Sequence, residues 1–168
     1  EIYEYSEGYK AYLDASKTER EATLCSIKMA EAAGYTEYKL GDKLSVGDKK
    51  YFNQHGKSFV AFKIGTDDLE VGGVRILAAH IDSPRLDLKQ NPLYESDELA
   101  YFDTHYYGGV KKYQYVTIPL ALHGVVIKAD GTKVSVNIGD KEGDPVFMIS
   151  DILIHLAASQ MKKTVSDA

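Results

Sequence analysis

Apolar positions change period several times along this chain, and each change predicts an element. Tyr5, Tyr9, Tyr12 and Leu13 fall at helical spacing within residues 2 to 16. A second helix opens on a capping box, with Thr18 as N-cap and Glu21 reaching back to it from three residues on. Ala22, Cys25, Met29 and Ala32 then make one apolar stripe, and Gly34 closes the helix where left-handed backbone is needed. A loop rich in Gly and Lys runs from Gly41 to Lys50. Tyr51 to Lys57 reads as a strand, a tight turn and the start of a second strand, and Ser58 to Ile64 alternates as its return. Gly65 to Gly73 is an acidic loop. Val74 to Ala79 is a short apolar run between Gly72-Gly73 and Pro84. That pattern predicts a strand buried on both faces, stopped by Pro84, which has no N–H to donate.

Beyond Leu86 the signals become β-like. Leu86 and Leu88 alternate with Asp87 and Lys89 until Asn91-Pro92 breaks the pattern, and residues 93 to 105 are polar and acidic. Val116 to Leu120 and Leu122 to Lys128 read as strands. Ala129-Asp130-Gly131-Thr132 is a hairpin turn, and Lys133 to Ile138 returns. Gly139 to Pro145 is turn-rich. Ser150 as N-cap and Asp151 at the first helical position predict a closing amphipathic helix through Ile152, Leu153, Leu156 and Met161 to about Lys163. The chain then runs out in Thr164 to Ala168 with no closing element, which reads as truncation. The fold class is α/β, in two parts: residues 1–92, mixed α/β, and residues 93–168, β-rich and ending in a helix.

Composition narrows the partners more than the fold. The 168 residues are 44% hydrophobic and 27% charged, the balance of a globular chain with a real core. The net charge is −5 with both signs interspersed. A nucleic-acid surface would need a basic stripe, and an anionic membrane a basic patch, so neither partner is expected. No apolar run reaches the length of a bilayer span, and no signal peptide is visible. One cysteine, Cys25, cannot build an internal disulfide and fits a reducing, cytoplasmic compartment. A small buried hydrophobe is what a free cysteine usually is, so Cys25 is assigned to the core. Thirteen tyrosines suit surfaces that are half buried and half wet, as at subunit contacts.

The candidate chemistry lies where the apolar run ends. His80 and Asp82 follow it, and with Ile81 between them both side chains point the same way if the strand continues. Ligand sites of open α/β sheets gather at such carboxyl ends. A neutral imidazole is a good ligand for zinc or cobalt, and a nearby carboxylate fixes its tautomer. His-x-Asp alone is a short pattern that surface pairs also make. His55 sits in a turn and reads as solvated. His105 stands before Tyr106-Tyr107-Gly108-Gly109, near enough to a loop to meet a substrate, with solvation the plainer reading. His123, before Gly124 on a strand, reads as structural. Arg85 and Lys89 carry two readings, as anchors for an acidic side chain or as solvated cations. His155 stands one turn before Ser159 on the expected last helix, at the edge of its apolar face.

Ala79-His80-Ile81-Asp82-Ser83-Pro84-Arg85-Leu86 resembles the aspartyl aminopeptidase / aminopeptidase I family of metallopeptidases. Lys17-Thr18-Glu19-Arg20-Glu21, Tyr107-Gly108-Gly109 and Ser150-Asp151-Ile152-Leu153-Ile154-His155-Leu156 match the same family in the same order. The resemblance covers the whole chain but not the whole length of the family. It departs at Val110, where the family often has a third glycine, and at Tyr113 and Tyr115, where the family is rich in tryptophan.

The resemblance implies a two-metal aminopeptidase that hydrolyses the N-terminal peptide bond of peptides through a metal-activated water. Two Zn2+ ions per complete site are implied, with Co2+ or Mn2+ as substitutes. His80 matches a metal ligand, and Asp82 the aspartate that orients it or tunes the metal. His155 matches the histidine that reaches a neighbouring subunit's site and donates to the developing oxyanion. The same resemblance implies that residues 1–92 are the first part of the catalytic domain, that residues 93–168 begin an inserted domain, and that a homo-oligomer is built through it. The bridging aspartate, the glutamate pair and the last ligands have no counterpart within these residues. Catalytic zinc needs about three protein ligands, so this chain alone is expected to be inactive. The rival reading is a non-catalytic assembly or binding module with His80 and Asp82 as a remnant motif.

Overall fold

A computed structural model describes residues 1–165, so the end of the second domain expected at Ala168 lies outside the described residues. The chain divides into two compact units, Glu1–Ser83 and Pro84–Ala168. The boundary read from the sequence, after residue 92, falls inside a strand of the second unit.

The first unit opens with helix α1, Ile2–Asp14, none of whose residues is buried. The Tyr12 hydroxyl lies 3.1 Å from Ser26 Oγ on the next helix. That helix, α2, spans Glu19–Ala32. Its capping box is complete: Glu21 N donates to Thr18 Oγ1 at 3.3 Å and Thr18 N donates to Glu21 Oε2 at 3.0 Å. Its other end is closed by Gly34 at φ +83, with Gly34 N donating to the Glu31 carbonyl and Tyr35 N to the Ala30 carbonyl. This paired bonding is a Schellman cap, and it needs the left-handed backbone that glycine adopts without strain. The buried face of α2 differs from the expected stripe. Ala22, Thr23 and Ala30 are buried, Cys25 is half-buried and Met29 is exposed. Small side chains let the helix lie close on the sheet, where Met29 would hold it away.

The sheet places β1 (Thr36–Glu37) parallel to β2 (Lys49–Gln54), and β2 antiparallel to β3 (Ser58–Lys63). α2 packs on β2 and β3. Tyr51 of β2 is 6% exposed and donates to Glu31 Oε1 of α2 at 2.8 Å. That hydrogen bond, then burial and the Glu31 charge, push the Tyr51 hydroxyl up to about 12. His55 and Gly56 turn the hairpin with φ of 57 and 69, and Asn53 Oδ1 accepts from Gly56 N at 2.8 Å. The acidic loop contains one short helical turn, α3 (Leu69–Gly72), capped by Asp68, which accepts from Glu70 N.

The apolar run is the main departure from expectation. Residues 74 to 79 form no strand, Ile76 is 78% exposed and Leu77 is fully exposed. A strand exists only where a neighbour completes its ladder. Among the described residues none pairs with this segment.

The second unit is built of two hairpins. β4 (Arg85–Ser96) pairs antiparallel with β5 (Leu99–Tyr107). Pro92 does not end β4; the register shifts between Leu88 and Leu93 and pairing resumes. An irregularity is where a strand tolerates a residue with no N–H. Residues 93 to 105, polar and acidic in composition, are therefore strand and turn. Asp97 and Glu98 make the turn with φ of 52 and 65, both left-handed as a two-residue turn requires. β6 (Leu122–Ile127) and β7 (Lys133–Ile138) form the second hairpin around Asp130-Gly131. Asp130 accepts from Thr132 N at 2.9 Å, which lowers its carboxyl below the usual range. Val116 to Leu120 is not a strand but two isolated bridges, Val116 to Ile149 and Leu120 to Phe147. The expected closing helix is replaced by single 3-10 turns at Ile154–Leu156 and Gln160–Lys162. Asp151 Oδ1 accepts from Ile152 N at 2.8 Å and from Gln160 Nε2 at 3.3 Å, which caps no further turn. Ile152, Leu153, Ile154 and Leu156 are all exposed, so no apolar face is buried to stabilise a longer helix.

Candidate metal-binding site

Without a ladder to hold it, the motif after the apolar run is ordered by its own polar groups. His80 Nδ1 lies 3.0 Å from the Asp82 backbone carbonyl and 3.3 Å from Asp82 Oδ1. Both neighbours are acceptors, so Nδ1 carries the hydrogen and donates it. Nε2 then keeps its lone pair for a cation. The imidazole is 83% exposed, so that nitrogen opens outward. An Nδ1–H held by a carbonyl or carboxylate is the arrangement that orients a metal-binding histidine. Asp82 thus meets His80 through its main-chain carbonyl as well as its carboxylate.

The first hairpin of the second unit holds its own opening residues, Pro84 and Arg85. Arg85 stacks its guanidinium 4.2 Å above the Tyr107 ring and donates from Nε to Asp87 Oδ1 at 2.7 Å. Gly108, at φ +77, comes close enough that a Cβ would stand 3.5 Å from Pro84. Lys89 pairs with Asp103 at 3.0 Å across the same hairpin. The two cations with an alternative reading as substrate anchors are thus each engaged with a carboxylate of their own hairpin. Arg85-x-Asp87 on one strand face was the signal for this grip, since residues two apart share a face.

The other histidines separate. His123 Nε2 lies 3.1 Å from Asp140 Oδ1, and its side chain is 10% exposed. Asn137, opposite His123 on β7, donates to the other Asp140 oxygen at 3.1 Å. This supports the structural reading of His123. His55 is a turn residue, and His105 is exposed with Nδ1 3.4 Å from the Tyr106 carbonyl. His155 sits exposed in the turn Ile154–Leu156 of the second unit.

Zinc fits the His80 position only as one part of a site. The imidazole is exposed, correctly tautomeric and backed by a carboxylate. Among the described residues no group of three or more His, Cys, Asp or Glu side chains could hold an ion together. A catalytic zinc takes about three protein ligands, more than His80 and Asp82 provide.

The chain is thus mixed α/β and carries an exposed His80 beside Asp82. Residues 12–168 match the family of aminopeptidase I zinc metalloproteases, M18, and the chain belongs to that family. It is 51% identical to a probable M18 family aminopeptidase 1 of Clostridium acetobutylicum over 99% of this chain and 36% of that protein. Crystal structures agree. Aminopeptidase I from Clostridium acetobutylicum superposes with a TM-score of 0.82 at 50% identity, over 95% of this chain and 36% of that one. The M18 aminopeptidase of Thermotoga maritima gives 0.87 at 40% identity, over 99% and 36%. The chain thus spans about a third of the length of these relatives. No described helix is long and apolar enough to cross a membrane.

Proposed function

We propose that this chain supplies a zinc ligand and part of the catalytic frame of an aminopeptidase that removes N-terminal residues from peptides. The observation that carries the reading is the His80–Asp82 geometry, which leaves Nε2 available to a cation, in a chain of the M18 family. Asp82 holds the imidazole in one tautomer and one orientation, and this raises its basicity toward a cation. When bound, zinc supplies the positive charge that polarises the scissile carbonyl and acidifies the attacking water. Two ions in the complete site, with cobalt or manganese as substitutes, belong to this proposal.

His155 is assigned as a donor to the carbonyl oxygen as negative charge develops there, acting in the site of a neighbouring copy. Its exposure in a short turn supports a role toward another molecule. Residues 1–92 are assigned to the catalytic domain, and residues 93–168 to the start of an inserted domain that makes subunit contacts in a cytoplasmic homo-oligomer. Exposed Tyr94, Tyr101 and Leu93 on the β4–β5 ribbon support such contacts. A two-stranded ribbon is marginal until something packs on it.

The test is release of N-terminal residues from a peptide panel by the full-length protein, before and after chelation. Activity that disappears with chelation and returns with added zinc is the expected result. A folded oligomer inactive with zinc, cobalt and manganese alike would overturn the reading in favour of an assembly module.

A further inference from the structure

We infer that Asp151 and Gln160 are positioning residues for His155, which they hold by closing the base of the loop that carries it. The inference rests on the role proposed for His155. Asp151 Oδ1 accepts from Gln160 Nε2 at 3.3 Å, a side-chain bond between residues nine apart. His155 stands near the middle of the loop so closed. The same oxygen accepts from Ile152 N at 2.8 Å, which sets the direction in which the chain leaves Asp151.

Both feet of the loop are fixed within the second unit. Before it, Thr117 N donates to the Ile149 carbonyl at 2.8 Å, and Leu120 and Phe147 exchange hydrogen bonds at 2.8 and 2.9 Å. The Phe147 ring lies 5.6 Å from that of Phe102 on β5. After it, Ala157 is 3% exposed, and its carbonyl accepts from Met161 N at 2.9 Å. Between the feet the loop is open to solvent, with Ile152, Leu153, Ile154 and Leu156 between 48% and 70% exposed. Its own main chain supplies two bonds, Leu156 N to the Leu153 carbonyl and Ala157 N to the Ile154 carbonyl. An exposed segment with so few internal bonds samples many conformations. A donor to a reacting oxygen has to be held to within about 0.5 Å. Tying the ends of the loop together removes part of that freedom, and the Asp151–Gln160 bond is such a tie.

The test uses the full-length protein with Asp151→Ala, Asp151→Asn, Gln160→Ala, His155→Ala, and His155→Ala combined with Gln160→Ala. For each, kcat and KM on one peptide, zinc content and the melting midpoint are measured. His155→Ala is expected to lower kcat about a hundredfold, as loss of an oxyanion donor does. Asp151→Ala and Gln160→Ala are expected to lower kcat about tenfold through misplacement of that donor, with KM, zinc content and midpoint as in wild type. Asp151→Asn keeps an acceptor oxygen for Gln160 and Ile152 and recovers most of that loss. The double variant should be no slower than His155→Ala alone, because a residue that acts through the imidazole has nothing to act on once it is gone.

Wild-type kcat in both Asp151→Ala and Gln160→Ala would overturn the inference. So would a lower melting midpoint with unchanged kcat, the mark of a purely structural role. A double variant slower than His155→Ala by the factor Gln160→Ala shows alone would place the action of Gln160 elsewhere and overturn it too. If Asp151→Ala does not fold, Gln160→Ala decides, since it leaves the bond from Ile152 to Asp151 in place. Wild-type kcat in His155→Ala overturns the proposed role of His155, and the inference with it. A slow His155→Ala beside unaffected Asp151→Ala and Gln160→Ala overturns only the positioning role.

Discussion

Two stretches of the first unit were equally clear as sequence, and only one became regular structure. Residues 18 to 63 form α2 and the β2–β3 hairpin, with a capping box, a Schellman cap and a turn all where the residues call for them. Residues 74 to 79 form no strand, although their apolar run is the more continuous of the two. The difference is where the partners lie. A helix satisfies its hydrogen bonds internally, and a tight hairpin finds its partner within a few residues. A central strand of an α/β sheet needs neighbours contributed from far along the chain. Local chemistry therefore fixes the first stretch, and the second has no strand partner among the described residues.

The largest expected effect is at Tyr51, the side chain that joins α2 to the sheet. Tyr51→Ala removes a buried ring and is expected to cost about 3 kcal/mol or more, read from the denaturant midpoint. An unchanged midpoint would mean that the α2–sheet layer is not the unit's core. Tyr51 also sets an alkaline limit. Its folded-state value of about 12 lies above the ordinary tyrosine range near 10, so its contribution is full below about pH 10 and is lost as pH rises toward 12. Stability measured across that window should fall in the wild type, and Tyr51→Phe should remove that part of the fall.

Thr18→Ala tests the local signal by itself. Loss of the cap is expected to cost about 1 kcal/mol, again by denaturant titration. Leu77→Ser is the counterpart in the unpaired run. In this chain it should change stability by less than about 0.5 kcal/mol, because the side chain is already exposed. In the full-length protein the same change should cost several-fold more, if neighbours bury the run. Equal small effects in both would mean that the run stays unpaired there too.

Legibility in the sequence followed the same division. Thr18, Glu21 and Gly34 announced both ends of α2, and Asp130-Gly131 announced the β6–β7 turn. Which face of α2 would be buried was misread, because apolar character favoured Met29 where closeness to the sheet favoured Ala30. Pro92 suggested a break and proved to be an irregularity inside β4. The helix expected after Ser150 is two short turns, because its apolar residues have nothing to cover them. At the candidate site, the closeness of His80 to Asp82 was readable from their spacing. The main-chain hydrogen bond that fixes the tautomer was not, since no pattern of residue types encodes a carbonyl's direction. The Arg85–Tyr107 stack needed the β4–β5 register to become visible.

The central claim is that His80, among the five histidines, is the one that takes zinc. Zinc affinity of the full-length protein, measured by chelator competition for wild type, His80→Ala and His123→Ala, tests it most directly. His80→Ala should bind zinc at least tenfold more weakly and lose N-terminal residue release, while His123→Ala, whose imidazole is held by Asp140, keeps its zinc. Wild-type zinc affinity in His80→Ala would contradict the account.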